Sequence, residues 1–69
     1  MCTIVTASVR PALAALDQRN FVIVLDASLS PAERVREARN VMTDAGQDQS
    51  DDAREVVCVC GIRQLVNAR

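Results

Sequence analysis

The apolar positions change period several times along the chain. From 2 to 9, CTIVTASV alternates, with Ile4, Thr6 and Ser8 on one side and Thr3, Val5, Ala7 and Val9 on the other, which predicts a strand with one richer apolar face. In RPALAALDQRN, 10 to 20, Pro11 suits a first helical turn, and Leu13 and Leu16 recur on one side with Ala12 and Ala15. This spacing predicts a short helix stopped by Asn20, too short to stand without leaning on a sheet. Residues 21 to 25, FVIVL, run apolar without interruption, the pattern of a strand covered on both faces at the centre of a sheet.

The next segment carries the clearest start signal. Ser30, Pro31 and Glu33 make a capping box with proline at the first helical position, and Ala32, Val35, Ala38, Met42 and Ala45 form a narrow stripe flanked by Val41. The predicted helix runs from 31 to about 45, where Gly46 supplies the stop. A polar connection over about 46–54 follows. EVVCVC, 55 to 60, reads as a third strand because its valines are β-branched, although Asp52 and Glu55 also have capping-box spacing. After Gly61, the segment 61 to 69 fits either a short helix or the return strand of a hairpin.

Taken together, this order predicts an α/β domain spanning 1–69, a β-α-β-α-β unit with a short C-terminal element. Its three-stranded parallel or mixed sheet carries two or three helices, and strand 21–25 lies at the centre. The alternative is a small α+β fold whose last strand runs antiparallel.

Composition makes the core small. Of 69 residues, 10 are Ala and 10 are Val, against 11 for Leu, Ile, Met and Phe together, so a single chain has few large side chains to bury. A domain of this size is stabilised by only about 3–5 kcal/mol from its core. Edge strands and a light core predict a homo-oligomer, a dimer above all, or a complex with another protein.

Eight Arg balance nine acids, with neither Lys nor His. That balance argues against nucleic-acid binding, and the missing Lys and His remove Schiff-base chemistry and the commonest general base. An all-Arg, Ala- and Val-rich chain matches a GC-rich bacterial or phage genome. No 18-residue apolar stretch predicts a membrane span, and the N-terminal segment, whose first basic residue is Arg10, lacks signal-peptide order. The expectation is a cytoplasmic protein with no membrane partner and reduced cysteines.

The one place where loop and chemistry coincide is Asp26, Ser28 and Ser30, a carboxylate and two hydroxyls between the strongest strand and the strongest helix. A phosphate, a nucleotide or hydrated Mg²⁺ finds amides and oxygens at such a turn, whereas structural capping accounts for the same three residues without a ligand. FVIVLDASLS resembles the Asp-x-Ser-x-Ser start of the metal site in von Willebrand factor A-type domains. The likeness covers about ten residues and implies Asp26 reaching Mg²⁺ through water, with Ser28 and Ser30 as ligands. No other cofactor is expected.

Cys58 and Cys60 share a face if 55–60 is a strand, which predicts packed, reduced thiols; zinc would need a fourth ligand beyond the three cysteines. A nucleophilic role for Cys2 would demand a substrate cavity larger than this chain can enclose. Arg34, Arg36 and Arg39 predict a solvated helix face paired with Glu33 and Glu37. No catalytic set emerges, and the reading is a small non-enzymatic interaction or regulatory protein that acts through its surface.

Overall fold

A computed structural model describes residues 1–66. The element order is β1 (Thr3–Ala7), β2 (Ala14–Asp17), β3 (Val22–Asp26), α1 (Pro31–Asp44), β4 (Glu55–Val57) and β5 (Arg63–Leu65). β1, β3 and β2 form one sheet in that spatial order, and β4 and β5 form a second. The fold is therefore a small α+β domain with one helix and five strands among the described residues, which corrects the expected α/β unit with two or three helices.

Two local facts overturn the earlier pattern. Residues 10 to 20 are not a helix: Ala14–Asp17 forms a strand antiparallel to β3, with Ala15 opposite Val24 and Leu16 opposite Ile23. The turn that returns the chain is stabilised by Asp17, whose carboxylate accepts the backbone N–H groups of Arg19 and Asn20 and the Asn20 side-chain amide. An Asx turn that delivers four residues onto a strong central strand outcompetes an isolated short helix. The second fact is that β4 stops at Val57, so Cys58 and Cys60 lie in the turn to β5 rather than along one strand. That turn uses Gly61 at φ 89° and is closed by the Gly61 N–H to the Cys58 carbonyl. Residues 61–66 supply the return strand of a hairpin, antiparallel to β4; the end of the 61–69 segment lies outside the described residues.

Other expectations hold. β3 is the central strand and runs parallel to β1, with Ile4 opposite Ile23 and Val5 opposite Val24. Ser30 caps α1 with both halves of the capping box, its hydroxyl accepting the Glu33 N–H at 3.2 Å while Glu33 accepts the Ser30 N–H at 2.9 Å. At the other end Gly46, at φ 92°, closes a Schellman motif, with Gln47 N–H on the Met42 carbonyl and Gly46 N–H on that of Thr43.

α1 packs on β2 and β3 on one flank and on β4 on the other. Ala38 and Met42 face a core of Ile23, Leu25, Leu29, Val56, Cys2, Cys58 and Val66, with Ile4, Leu16 and Val35 packed around it. Small helix residues let both sheets approach, so the helix is the shared wall between them.

The 46–54 connection is anchored rather than loose. Arg39 donates to two loop carbonyls, Ser50 at 2.6 Å and Asp52 at 2.6 Å, and to that of Glu55 at the start of β4 at 2.9 Å. The Gln49 amide docks on the outer edge of β4, donating to the Val57 carbonyl at 3.0 Å and accepting its N–H at 2.8 Å, as a neighbouring strand would. Arg36, by contrast, remains on the wet side with Glu33 and Glu37. Because lysine offers no planar fork, Arg39→Lys should lower stability by about 1–2 kcal/mol, and urea unfolding measures it. A change below about 0.5 kcal/mol, the range of a neutral surface substitution, would show that the carbonyl clamp is dispensable.

Candidate functional site

The strand-to-helix turn brings the expected residues together. Asp26 ends β3 and is buried at 2% exposure, and its carboxylate accepts the backbone N–H of Val9 at 3.1 Å and that of Ser28 at 3.1 Å. The Ser28 hydroxyl also donates to Asp26, and the Arg10 guanidinium reaches the carboxylate at 3.2 Å and the Ser28 oxygen at 2.6 Å. These contacts, led by the Ser28 hydroxyl and the Val9 amide, outweigh desolvation and hold the Asp26 carboxyl far below the usual carboxylate range.

This arrangement does not fit Mg²⁺. The guanidinium of Arg10, a residue the sequence pattern did not connect to Asp26, stands where a cation would sit, and the Ser30 oxygen is committed to the helix cap. A phosphate fits no better. The helix N-terminus already holds the Glu33 carboxylate, whose acidity is increased mainly by the Ser30 backbone N–H, and Asp26 adds a second negative charge. Asp26, Ser28 and Ser30 thus form a structural latch that fastens the 8–10 loop across the end of the sheet.

A second cluster is assembled across the whole chain. Cys2, just before β1, forms a disulfide with Cys58 in the β4–β5 turn, with Cα atoms 6.2 Å apart. Cys58 is buried in the core as expected, but it is bonded to Cys2 rather than reduced. Cys2 is also gripped through its backbone, since its N–H donates to Gln64 Oε1 at 2.9 Å and its carbonyl accepts from Gln64 Nε2 at 3.0 Å. Cys60 is free and half-buried, and the three sulfurs lie within 4.8 Å of one another. The Ile62 backbone N–H is the main reason that the Cys60 thiol lies below its ordinary value.

Two surface features complete the inventory. α1 covers the face of the first sheet that carries Ile23 and Leu25. Strand alternation and register put Val5, Val24 and Ala15 in one row on the opposite face, with Val22 in the next. Val5 is 39% exposed, and Phe21, the only aromatic residue of the chain, is 41% exposed at φ 53° where β3 begins. The expectation that FVIVL is covered on both faces is therefore met on one face only. Separately, an open apolar groove of 610 Å³ runs between α1 and the hairpin, floored by Val35, Ala53, Leu65 and Val66 and rimmed by Arg36 and Arg54. Arg54 is paired with Asp52, whose carboxyl is drawn down to about 2, chiefly by the Arg54 side chain. Among the described residues no helix is long and apolar enough to cross a membrane.

The disulfide closes a loop of 56 residues' separation, so its reduction should cost roughly 4 kcal/mol of stability on chain-entropy grounds. Native thiol titration should find one reactive thiol per chain, Cys60, and three after reduction. Three at the outset would refute the pairing.

Acid provides the test of the latch. Asp26 is more acidic folded than unfolded, so its contribution is complete above the unfolded value near 3.8 and is lost as pH falls below it. Stability should be flat from neutral pH down to about 5 and fall below about 4. Asp26→Asn should lower the midpoint more than the matching amide replacements of Asp17, Glu33 or Asp52, as thermal scans at pH 7 would record. Equal effects would demote Asp26 to an ordinary turn residue. Comparison with protein-family models, curated proteins and solved structures gives no match for this chain.

Proposed function

We propose that this chain is a small non-enzymatic interaction or regulatory protein acting through its surface as a homo-oligomer, with a second copy covering the open face of the β1-β3-β2 sheet. The observation that carries this reading is the uncovered side of β3. Val22 and Val24 belong to an apolar run of the kind found in strands packed on both faces, yet the helix layer lies on one face alone. Sheets pack face to face about 10 Å apart, and a two-fold axis through the Val5, Val24 and Ala15 row would set each apolar row on its own copy.

The chemistry of the face suits self-association. Its central row is uncharged, and the carboxylates at its ends are already engaged, Asp17 in its turn and Asp26 with Arg10. The size predicts weak binding: strands of five, four and five residues present at most roughly 14 by 17 Å, about 240 Å². That is well below the roughly 800 Å² per partner of a standard stable interface. Phe21 adds a large side chain at the margin, where aromatic anchors contribute disproportionately. A catalytic reading gains no support, because the ionisable groups of the turn are bound to one another.

Sedimentation equilibrium from about 10 to 500 μM should show a monomer–dimer equilibrium, with mass rising from 7.5 kDa toward twice that value. Val5→Glu lies on an exposed edge strand and should abolish the dimer while shifting unfolding by less than about 1 kcal/mol. A 7.5 kDa monomer throughout the range would reject the proposal, as would an unchanged dimer in Val5→Glu.

A further inference from the structure

The geometry points to a soft-metal site: in the reduced protein, the thiolates of Cys2, Cys58 and Cys60 bind one Cu(I) ion in a three-sulfur shell, and the Cys2–Cys58 disulfide is the metal-free alternative of the same site.

The disulfide by itself needs two sulfurs, yet the fold delivers a third. Cys60 is outside the bond, and its sulfur nevertheless lies within 4.8 Å of both others. Three sulfurs held about 2.3 Å from one ion in a trigonal plane stand about 4 Å apart, so opening the bond requires only side-chain adjustment to reach that triangle. The backbone around them is fixed independently of the disulfide. Gln64 holds both polar groups of Cys2, while the Cys58 N–H on the Ile62 carbonyl and the Gly61 N–H on the Cys58 carbonyl shape the turn that presents Cys58 and Cys60.

Donor type selects the ion. The chain has no His, and among the described residues no carboxylate joins the three sulfurs; the Met1 amine there hydrogen-bonds Cys60, so the ligand set is the three thiols. Zn²⁺ in a structural site is closed by four protein ligands, whereas Cu(I) is satisfied by three thiolates. Cys2 and Cys58 are buried and Cys60 is half-buried, so of the three it is Cys60 that solvent reaches most readily.

The redox step balances with a thiol reagent. A dithiol reductant gives two electrons and two protons to the Cys2 and Cys58 sulfurs and becomes a disulfide itself, and Cu(I) then displaces the thiol protons of the three cysteines. In the reverse direction a disulfide oxidant takes two electrons from the Cys2 and Cys58 thiolates and two protons from water, leaving as two thiols, and the newly formed S–S bond removes two of the three ligands and releases the ion.

The test is an anaerobic titration of the reduced full chain with Cu(I) against a chromophoric Cu(I) chelator, with X-ray absorption to count sulfur ligands. One ion per chain with three sulfurs is expected for the wild type, and no competition with the chelator for the oxidised protein. Cys60→Ser retains both partners of the disulfide and should bind at least tenfold more weakly with two sulfurs. Equal affinity in Cys60→Ser, or binding by the oxidised chain, overturns the proposal. A parallel Zn²⁺ titration separates the metals, since zinc retention without a three-sulfur copper shell would reject Cu(I). Should the reduced chain lose its circular dichroism signal, one equivalent of Cu(I) should restore it, and failure to do so also overturns the site.

Discussion

The constraint on which this fold depends is that two small sheets must share one helix. Neither sheet can bury enough surface alone: β4 and β5 are three residues each, and the first sheet leaves one face open. α1 joins them through Ala38 and Met42, and Cys2–Cys58 joins them covalently, tying the residue before the first strand to the turn of the last hairpin. A core with only a few large side chains, Ile23, Leu25, Leu29 and Met42 among them, can be this small because the chain is closed by links that do not depend on apolar area.

Polar side chains do much of the remaining work by acting as backbone. Gln49 completes the edge of β4, Gln64 pairs with Cys2 as a strand residue would, and Arg39 ties the Ser50, Asp52 and Glu55 carbonyls to α1. Each stabilises through paired donors and acceptors, so each leaves buried polar groups exposed to a cost when removed. Asp26 follows the same logic at the opposite end. Its charge is retained in a buried place because two amides, a hydroxyl and Arg10 surround it.

These commitments shape function by subtraction. The turn that looks most like a ligand site is closed by its own residues, while the features its contacts leave open are an apolar sheet face and the half-buried Cys60 beside the Cys2–Cys58 bond. One suits association and the other suits soft-metal or thiol chemistry, and they lie on separate elements. The cysteine cluster depends on the first and last thirds of the chain meeting, whereas the open face belongs entirely to residues 3–26.

By itself, the sequence determined the elements whose signals are local. The Ser30, Pro31, Glu33 box and Gly46 bounded α1 because caps act within a few residues, and FVIVL marked the central strand because no other run is as apolar. The meeting of Asp26, Ser28 and Ser30 at one turn was equally legible, since they are neighbours in the chain. What only the tertiary structure decided are pairings across distance. Residues 12 to 17 have apolar spacing that serves either helix or strand, and the unpaired edge of β3 selected strand. Arg10 met Asp26, Arg39 met the loop carbonyls, and Cys2 met Cys58 for a common physical reason: each contact is made between segments that local propensity folds independently, and no periodicity records which of them will face one another.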